Sequence, residues 1–314
     1  MADRLNLLRV VDPVLTSLVR GYSNNEFITE KVLPVVLMDS QAGKIPLFGK
    51  EEFQIRETKR ALRAASNEAI RGQLSTTGYA TDEHDEKRRI DYLEDSAALE
   101  DLEQIEVMNA QNSIDLGREY AGATLLQAPA NYPSANKVTL MDDFLNEAAI
   151  DPIDAVKNYI NKLKNIIGKR PNTLVMGSKV WDILDGHILI RARLASTQLG
   201  ITTLDILKQL LKVDNIYVGD SIYTEDNSTF INIWGNWIGV YYIMPPMGIT
   251  RTPHEPCFGF TLRLKGNPWA DKYEEENGKI RVVRSTDNYT HKIVGSDSGY
   301  CVTNPIDPTV YAAI

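Results

Sequence analysis

The sequence has only two cysteines, Cys257 and Cys301, far apart and without metal-ligand spacing. Such a pair builds neither a disulfide scaffold nor a thiolate metal centre. Both read as reduced, buried side chains of a cytosolic protein. Histidine is almost as scarce, with four in the chain. His187, His254 and His291 are scattered, with no Cys or His partner at ligand spacing. His84 sits in Asp82-Glu83-His84-Asp85-Glu86, but consecutive side chains do not converge on one cation in either helix or strand. That run reads as solvated charge. No Gly-x-Ser-x-Gly elbow is present either. The sequence thus implies no metal or other cofactor and no catalytic set. Also missing is the run of roughly 20 apolar residues needed to cross a bilayer. Asp3, Arg4, Arg9 and Asp12 interrupt the apolar pattern at the N-terminus, leaving no signal-peptide core. A soluble protein without a membrane partner is expected. Positive charge is in deficit as well. With 34 Lys and Arg against 42 Asp and Glu, the formal charge is -8 and the pI about 5.2. This balance argues against tight wrapping of nucleic acid as the main task, leaving weak or local contact open.

What the chain does contain is enough apolar side chain, 43% of 314 residues, for one large core or two moderate ones. The most ordered stretch is Asp151–Gly219. Ile153, Val156, Ile160, Leu163 and Ile167 recur at steps of three and four, so they share one helical face, and Gly168 stops that helix. Asn172–Met176 is a short apolar run between Pro171 and Gly177, fitting a buried strand. Ser178 is placed to cap a helix over Lys179–Leu184. A helix over Leu204–Lys212 and a strand over Ile216–Gly219 complete a small α/β unit.

The remainder divides by composition. Leu5, Leu8, Val11 and Leu15 could line a short helix, which Pro13 and the polar stretch from Gly21 to Asn25 keep from growing. This arm has too little apolar surface to fold alone, so it packs on its own domain or on a neighbouring chain. Ile28–Met38 and Lys44–Ile55 read as strands. From Arg56 to Arg89 charge dominates and large apolar side chains are few, so the segment cannot bury a core. Its length and strand-like flanks suggest a projecting hairpin. Leu93–Leu126 is a long helix with acidic first turns that suit the positive end of its dipole. Small residues at Ala110, Gly117, Ala121, Gly122 and Ala123 let it lie close to a sheet or another chain. After Asp220 strands dominate: Phe230–Trp234, Trp237–Met244, Phe258–Lys265, Lys279–Arg284 and His291–Val302. Asn277-Gly278 marks a tight hairpin turn.

Several possible sites fail on chemistry. Gly43–Glu51 is close to a phosphate-binding loop, but its glycines are one residue too far apart. Glu51 also stands where a magnesium-binding hydroxyl belongs. Gly177-Ser178-Lys179 opens a helix after a strand, a geometry that can hold an anion, yet simple capping explains it better. Arg56, Lys59, Arg60, Arg63 and Arg71 offer positive charge to acidic surfaces or nucleic acid. With Glu57, Glu68 and the acidic run beyond, pairing between subunits or plain solvation is the better reading. Trp234, Trp237, Tyr241 and Tyr242 alternate as core residues of strands, although a stacking platform would have the same pattern.

The order of elements carries a resemblance. An arm, a long charged hairpin, a spine-like helix, a compact α/β unit and returning strands together resemble the major capsid proteins of tailed bacteriophages, with the Hong Kong 97-type fold. Within it, RPNTLVMGSKVWDIL is similar to the strand and helix of the family's axial domain, and HKIVGSDSGYCVTNPI to its closing strand. The resemblance implies an α+β fold with an N-terminal arm over 1–27 and a peripheral domain that begins at 28–55. It further implies an extended loop over 56–89, the spine helix and more peripheral domain over 90–136, an axial domain over 137–254 and peripheral C-terminal strands over 255–314. A structural, non-enzymatic shell subunit follows, made in the host cytoplasm and built into pentamers and hexamers around double-stranded DNA. Arg56, Lys59, Arg60, Arg63, Arg71, Leu5 and Leu8 would then meet neighbouring subunits. Net negative charge limits adhesion to packaged DNA. Expected partners are further copies, a portal, a decoration protein and, since the chain opens directly on its arm, a separate scaffolding protein or none. An encapsulin nanocompartment shares the fold, and a soluble α/β hydrolase or transferase is the competitor from another class.

Overall fold

The computed structural model describes residues 12–21, 26–47, 59, 76–97, 101–140, 151–195, 202–226, 228–245, 257–308 and 311. These form an α+β fold with two five-stranded sheets. The chain enters through helix α1 (Pro13–Gly21) and the single turn α2 (Thr29–Val32), followed by strands β1 (Val35–Met38), β2 (Ala42–Pro46), β3 (Thr76–Ala80) and β4 (Asp82–Asp91). Pro13 does not break its helix. It opens it, because proline at the first helical position has no amide left to satisfy, while Asp12 Oδ1 accepts from the Val14 and Leu15 amides at 2.9 and 3.1 Å.

Two helices, α3 (Tyr92–Ala97) and α4 (Leu102–Gln127), replace the continuous helix expected over Leu93–Leu126. Asp101 is the reason for the fresh start. Its backbone is extended and its carboxylate accepts from the Glu103 and Gln104 amides, capping the 26-residue α4. The stripe of small residues works at one point in particular: a methyl added at Gly122 would overlap the Thr29 side chain, so glycine admits α2 against the spine.

The α/β unit follows as β5 (Lys137–Thr139), α5 (Pro152–Ile167), β6 (Thr173–Gly177), α6 (Ser178–Gly186), α7 (Ile188–Ala195), α8 (Leu204–Leu211) and β7 (Asn215–Gly219). Every residue of β6 is buried, as its apolar composition predicts. Gly168 ends α5 at φ 70° with its amide on the Lys164 carbonyl. Ser178, however, makes no cap: the cap position is Gly177, and no side-chain bond is made there. The backbone of Trp234 and Gly235 lies where a Cβ on Gly177 would stand, so close packing fixes that residue.

The last strands are β8 (Ile222–Tyr223), β9 (Ile231–Asn232), β10 (Trp237–Tyr241), β11 (Gly259–Leu264), β12 (Trp269–Glu275), β13 (Ile280–Ile293) and β14 (Gly299–Thr303). Asn277-Gly278 makes its turn between β12 and β13, with Glu276, Asn277 and Gly278 all at positive φ. Lys279–Arg284 and the start of His291–Val302 are one 14-residue strand, β13. It continues unbroken because it is the hub of its sheet, pairing with β11, β12 and β4.

That sheet runs β1-β11-β13-β12, with β4 also on β13, and is labelled peripheral. The other, labelled axial, runs β5-β14-β10-β6-β7. Strand β14, from the C-terminal segment, lies in this sheet between β5 and β10. Its residues Tyr300 and Val302 help to fill the axial core with Ile153, Ile160, Leu163 and Leu174. A second core, around Phe258, Phe260, Trp234, Trp237, Tyr241 and Leu126, joins the end of α4 to both sheets. The third is small: Leu15 and Val19 of α1 close over Ile90, Val107, Ala270 and Val283. The second half of the expected arm therefore packs on its own peripheral sheet, where the Asp12 amide also donates to the Ala270 carbonyl at 3.0 Å.

Candidate assembly surface

The spine helix meets the peripheral sheet through charge as well as apolar contact. From α4, Gln111, Asp115 and Arg118 stand one turn apart on one face and are buried. Arg118 reaches Asp115 at 2.9 Å, Glu30 at 3.1 Å and, across to β13, Asp287 at 3.3 Å. Arg263 on β11 closes the group, 2.9 Å from the fully buried Asp287. Gln111 donates to Asp115 at 2.9 Å and accepts from Ser285 at 2.7 Å. Burial opposes the Arg118 charge, but Asp115, Glu30 and Asp287 outweigh it and raise its pKa further. Burial likewise raises Asp115, against the pull of Arg118. An ion group of this kind fixes the angle of the helix on the sheet, since each charge is costly if left alone.

One turn on, Glu119 ties three elements together. Its carboxylate accepts from the Ile28 and Thr29 amides at 3.0 and 2.9 Å and from Trp234 Nε1 at 2.8 Å. Next to it, His291 lies between the Arg118 carbonyl (3.1 Å from Nε2) and Thr261 Oγ1 (3.0 Å from Nδ1). Burial lowers its pKa to about 4, so the ring is neutral at pH 7, and a proton on Nε2 donates to the Arg118 carbonyl. Tyr289, under the Arg118 guanidinium at 5.7 Å, is pushed up to about 12 by burial.

Outward from this frame lies β4, whose residues Asp82–Asp85 are exposed. The run around His84 is charged and solvated, as expected, and forms a strand. It pairs with β13 from Tyr289↔Asp82 to Ile280↔Asp91. His84 stacks on Tyr289 with centroids 4.3 Å apart. A cleft of about 570 Å³ runs between β4 and α4, floored by Ser113, Gly117 and Ala121.

Of the residues expected at subunit contacts, Lys59 is exposed. Arg56, Arg60, Arg63, Arg71, Leu5 and Leu8 lie outside the described residues. Trp234, Trp237 and Tyr241 are buried in the core, and Tyr242 is half-buried. Lys179 lies over the Tyr311 ring at 4.9 Å, following the capless start of α6. Sequence reasoning missed the buried ion group altogether. Its only trace was Gln111, Asp115 and Arg118 at helical spacing, with nothing to point to Asp287. Among the described residues, no group of three or more His, Cys, Asp or Glu side chains is placed to hold a metal ion. No helix among them is long and apolar enough to cross a membrane.

No protein-family model matches the chain. A curated protein does: the major capsid protein of Burkholderia phage BcepMu is 41% identical over 302 residues, 96% of this chain and 98% of that one. The chain belongs to the phage major capsid proteins. A solved phage-related protein from Bordetella bronchiseptica matches this capsid protein with a TM-score of 0.79 at 26% identity, over 95% of this chain and 98% of the other. The virus-like particle of Pyrococcus furiosus matches at a TM-score of 0.55 and 11% identity, covering 92% and 95%. At that identity the likeness is of fold alone. The capsid protein has the Hong Kong 97-type fold, and it is a structural protein of the phage shell.

Proposed function

We propose that this capsid protein assembles as pentamers and hexamers into an icosahedral head around double-stranded DNA, without enzymatic activity. The observation that carries this reading is the likeness to a curated major capsid protein, which spans both sheets and the spine helix. The α/β unit, with Lys137 to His254 and the closing strand β14, serves as the axial wedge around fivefold and sixfold positions. The α4 helix and the sheet around β13 form the periphery. Arm residues Leu5 and Leu8 and loop residues Arg56, Lys59, Arg60, Arg63 and Arg71 tie neighbouring copies together. Their partners being on other chains, folding energy becomes assembly energy. A portal, a scaffolding protein and a decoration protein complete the head, and DNA contact is weak and non-specific because the chain carries a charge of -8.

Purified particles decide the contents. Nuclease-protected double-stranded DNA in particles with a portal is expected, whereas particles filled with an enzyme cargo would point to a nanocompartment. Deleting Lys59–Thr76 is expected to leave both sheets folded by circular dichroism while closed shells disappear. Normal shells from that deletion would remove the loop's proposed role.

A further inference from the structure

Strand β4 is an edge of an unusual kind. Among the described residues its one strand partner is β13, so the hydrogen-bonding groups along its other side are available to another strand. Edge strands usually carry charge to prevent such pairing, and a row of one sign repels in every register. Here the signs are segregated. The first half reads Asp82-Glu83-His84-Asp85-Glu86 and the second Lys87-Arg88-Arg89. A parallel partner in register would set like charge on like. An antiparallel copy would do the reverse.

The faces can be assigned. Alternation along a strand puts Glu83, Asp85, Lys87 and Arg89 on one face, in agreement with the ion pairs that Lys87 and Arg89 both make with Glu275. Arg88 pairs with Glu86 on the other face, at 2.5 Å. A twofold axis through Glu86 then sets Glu83 of one chain opposite Arg89 of its partner and Asp85 opposite Lys87. The same pairs repeat on the other side of the axis, so that face of the strand is complementary to itself, while on the axis Glu86, already paired with its own Arg88, meets its copy. Opposed residues lie close enough for such pairs to interact, and like charges placed there are destabilising. A surface that matches itself about a twofold is what an isologous contact requires.

We propose that β4 edges of two capsid subunits pair antiparallel about a twofold axis centred on Glu86, extending the peripheral sheets across the contact between subunits. This inference rests on the shell reading above and names one of its contacts. The partner is a second copy of this chain. The charge pattern selects the antiparallel direction and the central register.

Charge reversal tests it. Lys87→Glu with Arg89→Glu is expected to abolish closed shells, and so is Glu83→Lys with Asp85→Lys, because each sets like charge on like across the axis. All four together restore complementarity and should recover shells. If these residues served only their own chain, the fourfold variant would be the worst, since Glu275 would lose both basic partners. Failure of the fourfold variant to recover shells, while it still folds by circular dichroism, overturns the proposal. Glu86→Cys gives a direct reading. Its copies face each other on the axis, so oxidised shells should run as dimers on non-reducing electrophoresis, the native cysteines being buried. Normal shells that yield only monomer also overturn it. Should Glu86→Cys prevent shells, the reversal set decides. Failure of the shell reading would show instead as an absence of shells from the unaltered chain.

Discussion

Beyond the aromatic core they share, the two sheets of this capsid protein are held by different physics. The axial core is aliphatic and aromatic: α5 lays Ile153, Val156, Ile160 and Leu163 on β6, β10 and β14, whose inward residues are apolar too. The small peripheral core, Leu15, Val19, Ile90, Val107, Ala270 and Val283, is supplemented by buried Gln111, Asp115, Arg118, Ser285 and Asp287. Apolar burial is non-directional. Buried charge fixes one geometry and penalises any other. The periphery thus holds a defined angle between spine helix and sheet.

The largest expected effect breaks the axial side. Leu174, 1% exposed in the middle of β6, has no polar partner to offer an ion, so Leu174→Asp is expected to remove soluble folded protein altogether. Soluble, cooperatively unfolding Leu174→Asp protein would mean that β6 is not the centre of that core.

On the peripheral side, Arg118→Met leaves Asp115 and Asp287 buried with Arg263 as the remaining cation of the group. Removing one partner of such a group costs about 3–5 kcal/mol, read as a lowered denaturant midpoint. Replacing Asp115, Arg118 and Asp287 together by apolar residues is expected to cost less than the single change, which a purely apolar interface would not show.

His291 sharpens the contrast through pH. Its folded pKa is about 4 against an ordinary 6.5, so between these values the unfolded chain binds the proton and the folded chain does not. Stability contributed by the neutral ring is complete above pH 6.5 and is lost as pH falls towards 4, by at most ~3 kcal/mol. Asp115, raised by burial, titrates with the opposite sign. The measurement is therefore the difference between the protein and its His291→Gln variant, whose stability should fall less steeply across that window. The smallest effect tests the joint between the helices. Gly122→Ala forces a methyl into Thr29 and is expected to cost about 1–3 kcal/mol, with recovery when Thr29→Ser removes the methyl it meets.

The same contrast explains what could be read from the sequence. The strand Thr173–Gly177 and the helix around Ile160 announce themselves because burial there is continuous or periodic in sequence. Sequence separation hides the rest. Arg118 and Asp287 meet across 169 residues, and no local pattern links them. Strand β4 carries no apolar alternation because its own residues are charged; its partner β13 supplies the buried Val282 and Val283. Asp101 and Asp12 act as caps by local chemistry that sequence carries, but Asp101 stands among other acidic residues and Asp12 before a proline, contexts equally compatible with a solvated turn. The placement of β14 in the axial sheet depends on a crossover from β13, which strand patterns alone do not order.

Whether this fold closes into a shell is read by electron microscopy of particles from cells producing the protein with its phage head partners. Closed icosahedral shells with the α/β unit at the fivefold and sixfold positions are expected. Monomers or small oligomers alone, under those conditions, would show that it does not.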